Sequence, residues 1–125
     1  MHLVWIVDDD DEMSHAVKLM LQLLDCEVKT FRDARTASRA LLAGGRPDVL
    51  LLDINMPEVT GIDMLEFVRL RKELAKLPVV MLSSETTDVQ VDEAMALGAN
   101  GYVFKPVTLD ELEAVLNKVL GQTPR

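Results

Sequence analysis

The sequence predicts a doubly wound α/β domain, a five-stranded parallel sheet with five helices packed on its two faces. Short apolar runs rich in Val, Leu and aromatics alternate along the chain with segments of helical period. Three of those runs, residues 3–7, 49–52 and 79–82, are almost continuously apolar, as strands covered on both faces must be. Parallel strands joined by right-handed helical crossovers open their binding crevice beyond the strands' C-terminal ends, where the strand order reverses.

Residues 3–7 form the first expected strand, and Met13, Ala16, Val17, Met20 and Leu24 then recur on one helical stripe. Residues 28–31 make the second strand, followed by a helix over 34–43 that Gly44 and Gly45 end. Residues 49–52 are the third strand, and Ile54, Asn55, Met56 and Pro57 after it force a turn. A helix over 61–74 leads to the fourth strand at 79–82, a helix over 87–97 stops at Gly98, and 102–104 form the fifth strand. Leu109, Leu112, Val115, Leu116 and Val119 stripe the last helix, with Thr108 and Glu111 spaced as a capping box. One domain is expected over 1–121, with 122–125 a tail or cut linker.

At 125 residues and 49% hydrophobic content the chain can bury a sizeable core. Its 21 acidic and 13 basic residues give a formal charge of -8, which disfavours direct contact with nucleic acid or anionic lipid and favours a basic partner face. No apolar stretch approaches the roughly 20 residues of a membrane span, and the N-terminus lacks a signal peptide's basic start and apolar segment. A cytoplasmic location is therefore expected. Cys26 has no disulfide or zinc partner and reads as a small residue beside a strand, while His2 and His15 read as surface residues. Trp5 and the methionines read as core filling.

Four apolar runs end in polar groups: Asp8 and Asp9 after the first, Asp53 after the third, Ser83 after the fourth and Lys105 after the fifth. Parallel strands would bring all of them to one edge of the sheet. Carboxylates gathered there repel one another, by roughly 4 kcal/mol for two unit charges about 4 Å apart at an effective dielectric near 20. Oxygen-only ligands suit a hard divalent ion such as magnesium, and Lys105 supplies a second positive charge. With charge neutralised from two sides a carboxylate can act as nucleophile toward phosphorus. Asp53, alone after the central strand, is the candidate nucleophile, and the Asn55 carbonyl is a further candidate metal ligand. Ser83 can donate a hydroxyl hydrogen bond to a phosphoryl oxygen. Tyr102, two strand positions before Phe104, is a candidate to move with it.

The segments Val7 with Asp8 and Asp9, Leu52 through Pro57 with Gly61, Leu82 through Glu85, and Gly98 through Pro106 occur in that order. Together they resemble the receiver domain of two-component response regulators, of the single-domain CheY-like kind, over essentially the whole chain. The resemblance implies the flavodoxin-like strand order 2-1-3-4-5. It implies that Asp53 accepts a phosphoryl group from a sensor histidine kinase's phosphohistidine or from a small acyl phosphate. Asp9, Asp53 and the Asn55 carbonyl would hold Mg2+, with Asp8 acting largely through a metal-bound water. Lys105 would contact the phosphate, Ser83 would shift toward it, and Tyr102 would turn inward. That remodels the face of the fourth helix, fifth strand and fifth helix, where an output protein or effector domain binds and where a phosphorylation-dependent dimer would form. A cis bond between Lys105 and Pro106 is also implied.

Asn55 and Glu85 occupy the positions that tune phosphate lifetime in this family; both are polar, so a short-lived aspartyl phosphate is expected. Ser83 stands where threonine is commoner, and loses a methyl that restricts the rotamer. Asp10, Asp11 and Glu12 extend the acid pair and read as helix-start residues favoured by the dipole. The expected protein is a phospho-acceptor that assists its own phosphotransfer and dephosphorylation, not an enzyme. One alternative is a phosphatase of the haloacid dehalogenase type, but that family wants a second Asp where Asn55 stands. A phosphorylation-independent interaction module is the other, and flavin binding lacks a Ser/Thr-rich loop after the first strand.

Overall fold

The computed structural model describes residues 2–84 and 88–121. The strands β1 (Leu3–Val7), β2 (Glu27–Phe31), β3 (Val49–Asp53), β4 (Val79–Ser83) and β5 (Gly101–Phe104) pair in parallel in the order β2-β1-β3-β4-β5. The expected fold class is the observed one. Between and after them run α1 (Asp11–Leu23), α2 (Ala34–Leu42), α3 (Gly61–Leu70), α4 (Asp88–Ala96) and α5 (Leu109–Gly121).

Strand alternation divides the core into two layers. Trp5, Val7, Leu50, Leu52, Val79 and Met81 pack against α2, α3 and α4. Val4, Ile6, Val49, Leu51, Val80 and Leu82 face α1 and α5. This explains why β1, β3 and β4 lack polar alternation: neither side of these strands meets water. β2 is an edge strand, and three of its five residues are exposed.

Several local expectations shift by a residue or a turn. On α1 the buried line is Ser14, Val17 and Leu21; Met13, Met20 and Leu24 flank it half-buried, and Ala16 is exposed. The expected helix over 61–74 breaks at Arg71, which is extended (φ -94, ψ 127), and a single 3-10 turn, Lys72–Leu74, follows. The break turns the chain so that Leu74 and Leu77 are buried before β4 begins. At α5, Thr108 Oγ1 accepts the Glu111 N–H at 3.2 Å, but the Glu111 carboxylate takes the Thr108 hydroxyl at 2.9 Å instead of a backbone donor. A complete capping box lies at α3, where Thr60 and Asp63 each accept the other's backbone N–H. Thr87, the expected first residue of the fourth helix, and the expected tail lie outside the described residues.

Gly61 locks the start of α3 to the strand carrying Asp53. Its N–H donates to the Ile54 carbonyl at 3.0 Å, and a Cβ there would run into the Asp53 carbonyl oxygen. Gly61→Ala is expected to destabilise the fold by about 3 kcal/mol, because backbone cannot move aside as a flexible side chain can. A urea midpoint equal to that of wild type would contradict this contact.

Candidate functional site

The sheet order reverses between β1 and β3, and the acids stand at the ends of those two strands. Asp8 leaves β1 with its N–H still donating to the Phe31 carbonyl at 3.0 Å, as a continuation of the β1-β2 ladder. The Ser14 hydroxyl donates to the Asp8 carbonyl at 3.5 Å and ties α1 to this end of the strand. Asp53 is the last residue of β3. Both acids are buried, and Asp9 is exposed at the rim. Carboxylate oxygens of Asp8, Asp9 and Asp53 lie within 4.8 Å of one another, the one such cluster among the described residues.

Lys105, delivered by the end of β5, reaches across the cluster. Its Nζ lies 2.8 Å from Asp8 Oδ2 and 3.3 Å from Asp53 Oδ1, with only 15% of the side chain exposed. Asp8 Oδ1 accepts the Asp10 N–H at 2.9 Å, and Asp53 Oδ1 accepts the Asn55 N–H at 3.3 Å. Burial and then the charge of Asp8 push the Asp53 carboxyl up to about 6, against the opposing pull of Lys105 and the Asn55 N–H. Burial draws the Lys105 ammonium down, but its contacts with Asp8 and Asp53 outweigh this and leave its pKa raised. Three carboxylates against one ammonium leave two negative charges, which one divalent ion matches. The all-oxygen donor set fits magnesium or a similarly hard cation.

The other expected site residues group around this centre. Ser83 ends β4 fully buried, its carbonyl accepting the Lys105 N–H at 2.7 Å. Asn55 is exposed in the turn after Asp53, and the Lys105–Pro106 bond is cis. Tyr102 lies on β5 away from the acids; it is 44% exposed and meets Phe104 edge-on at 5.4 Å between ring centroids. It borders a surface groove of about 360 Å³ shared with Met95, Val103, Glu111, Val115 and Lys118. Glu85 lies outside the described residues. Asp10 caps α1 by accepting the Met13 N–H at 3.1 Å, and Asp11 pairs with Arg32 at 3.1 Å, so these extra acids serve the helix start.

Three further residues do structural work near the site. Ser14 had no visible signal, being a polar residue on a helix. Thr60 and Asp63 did have one, the Thr-x-x-Asp spacing ahead of an apolar stretch.

A parallel sheet with carboxylates and a lysine gathered at its switch point defines a flavodoxin-like α/β domain with its crevice at the carboxyl ends of β1 and β3. The sequence matches the response regulator receiver domain family over residues 4–117. It is 38% identical to the chemotaxis protein CheY of Pseudomonas aeruginosa, covering 93% of this chain and 94% of that protein. The regulatory protein AtoC of Escherichia coli is 34% identical, with the match covering 94% of this chain but 25% of that longer protein. The structure of the chemotaxis protein CheY4 of Vibrio cholerae superposes with a TM-score of 0.86 at 34% identity, covering 95% of this chain and 98% of that one. The chain belongs to the response regulator receiver domain family. CheY-like receivers are signalling domains rather than classical enzymes, and receivers of two-component systems work with histidine kinases and output partners. Receiver domains generally bind Mg2+, and the acid cluster can hold such an ion. Among the described residues no helix is long and apolar enough to cross a membrane.

Proposed function

We propose that this protein is a phosphorylation-activated switch in which Asp53 accepts a phosphoryl group from the phosphohistidine of a sensor histidine kinase. The observation that carries the proposal is the unbalanced cluster of Asp8, Asp9 and Asp53 against the single ammonium of Lys105. Asp9 and Asp53, with the Asn55 carbonyl, would hold Mg2+, with Asp8 contributing largely through water. Bound there, the ion would supply the positive charge that offsets these carboxylates, and Lys105 shares the charge that the phosphoryl group brings to Asp53. Ser83 then turns its hydroxyl to the phosphoryl group, and Tyr102 moves inward. The result is read on the α4-β5-α5 face by an output protein or effector domain, with a phosphorylation-dependent dimer a compatible arrangement.

On this proposal the receiver domain spans residues 1–121 and works in the cytoplasm without contacting nucleic acid or membrane. Intact mass spectrometry after incubation with acetyl phosphate and Mg2+ tests the core of the proposal. One phosphoryl addition is expected in wild type and none in Asp53→Asn or in the presence of chelator. Absence of addition to wild type would refute it. Partner affinity that is equal for wild type and Asp53→Asn would instead favour a constitutive interaction module.

The domain also assists the loss of its own phosphoryl group, through a water that the polar side chains of Asn55 and Glu85 orient. Replacing both by Leu is expected to slow hydrolysis of the aspartyl phosphate by roughly tenfold, less than the roughly hundredfold or more that a full general base contributes. A decay constant measured after removal of donor that is the same in both proteins would refute this role.

A further inference from the structure

The C-terminal end of α4 is fastened to the rest of the domain by a polar clamp that the proposed phosphoryl chemistry does not use. Arg69, half-buried in the last turn of α3, donates from Nε to the Gly98 carbonyl at 2.9 Å and from Nη2 to Asn100 Oδ1 at 2.9 Å. A third donation, from Nη1 to the Leu74 carbonyl, is longer at 3.5 Å. Asn100 Oδ1 also accepts the Val79 N–H at 2.9 Å, while the Asn100 N–H donates to the Val79 carbonyl at 2.8 Å. One guanidinium and one carboxamide thus join α3, the 3-10 turn, the first residue of β4 and the turn from α4 into β5. Gly98 closes α4 with φ +105, and a Cβ there would come 2.9 Å from Arg69 Nε.

The body of α4 is held differently. Among its described residues the buried side chains are the small ones of Val91 and Ala94, Gln90 is half-buried with its side-chain oxygen enclosed, and Val89 and Met95 are exposed. Small side chains offer little contact area and weak interdigitation, so sliding or tilting costs less there than at a hydrogen-bonded clamp. The opposite end of α4 follows β4, the strand that carries Ser83.

We infer that Arg69 is a positioning residue for the switch, pinning the C-terminal end of α4 so that a change at Ser83 swings the helix about that end. This inference rests on the phosphorylation-driven reading above. A lysine at this position keeps the charge but cannot serve two acceptors in fixed directions, because the planar fork is lost. Without the pin, a signal from the site displaces the whole of α4 and the start of β5 together.

Amide hydrogen exchange, measured with and without acetyl phosphate and Mg2+ on wild type, Arg69→Lys and Asn100→Ala, tests the lever. In wild type, phosphorylation is expected to change exchange over residues 89–92 at least about tenfold more than over 98–101, since local opening is reported segment by segment. In both variants the phosphorylation-dependent change is expected to spread to 98–101, while the rate of phosphoryl incorporation stays within about twofold of wild type. Equal changes at both ends of α4 in phosphorylated wild type would overturn the lever, whatever the variants do. Variants whose exchange at 98–101 rises equally with and without phosphorylation would reduce Arg69 to a structural brace and overturn it too. No phosphoryl addition to wild type would overturn the switch reading and the lever together.

Discussion

Metal-free protein carrying Asp53→Asn is expected to be more stable than wild type at pH 8, by about 3 kcal/mol, with the advantage shrinking to about 1 kcal/mol at pH 4.5. The cause is the environment of Asp53. Burial and the Asp8 charge raise its carboxyl from 3.8 to about 6 despite the neighbouring Lys105. A carboxyl with a raised folded-state pKa favours folding in its neutral form. That stability is fully present below the unfolded value near 3.8 and is lost as pH rises through about 6. Asparagine is neutral at every pH and escapes the loss. For a domain of this size the difference at pH 8 corresponds to roughly 10 °C in Tm. Thermal melts in chelator at the two pH values check it. A lower Tm for the variant at pH 8 would mean that the Lys105 pair outweighs burial and the Asp8 repulsion.

Added Mg2+ is expected to change this ordering. The ion binds the ionised wild-type cluster and stabilises it by mass action, about 2.7 kcal/mol at a hundredfold excess over Kd. The variant has lost one carboxylate of the proposed ligand set and gains less. Protons and metal compete for Asp53, so the gain of wild type is smaller at pH 5 than at pH 8.

Lys105→Met is expected to act in the opposite direction, lowering metal-free stability at pH 8 by about 3 to 5 kcal/mol. The ammonium lies 2.8 Å from Asp8 Oδ2 and 3.3 Å from Asp53 Oδ1, and both acids are buried. Removing it leaves two buried carboxylates facing each other with no counter-charge. Methionine keeps most of the length and the apolar stem, so the loss is chiefly electrostatic. Mg2+ then becomes the sole neutralising group, and its stabilising effect on the variant is expected to exceed its effect on wild type. Melts across a Mg2+ titration measure this. A metal-free variant as stable as wild type, or one that gains no more from Mg2+, would show that Lys105 does not balance the acids.

The legibility of this fold in its sequence follows from how local each signal is. The Val-Leu-Leu-Leu-Asp segment of β3 was readable because burial on both faces removes polar alternation, and the acid marks where burial ends. The end of α4 at Gly98 was readable because that position needs φ +105, which glycine adopts freely. The buried face of α1 lies one position away from the stripe its period suggests, since Leu21 and Met20 are equally apolar and only the sheet beneath chooses between them. Arg71 has no breaker chemistry, so the end of α3 was invisible until the path into β4 was known. Arg69 and Asn100 are ordinary polar residues in a sequence, and their partners lie in other elements.

By itself the sequence determined the order and type of the elements and the residue types at each strand end, because apolar period, turn residues and strand termini are properties of neighbouring positions. Only the tertiary structure decided how those ends interact: that Lys105 sits closer to Asp8 than to Asp53, that Asp9 stays at the rim, and that Asp53 is desolvated enough to titrate near 6. Coulombic coupling and desolvation depend on separation and enclosure in space. Here both arise from groups contributed by the beginning, middle and end of the chain.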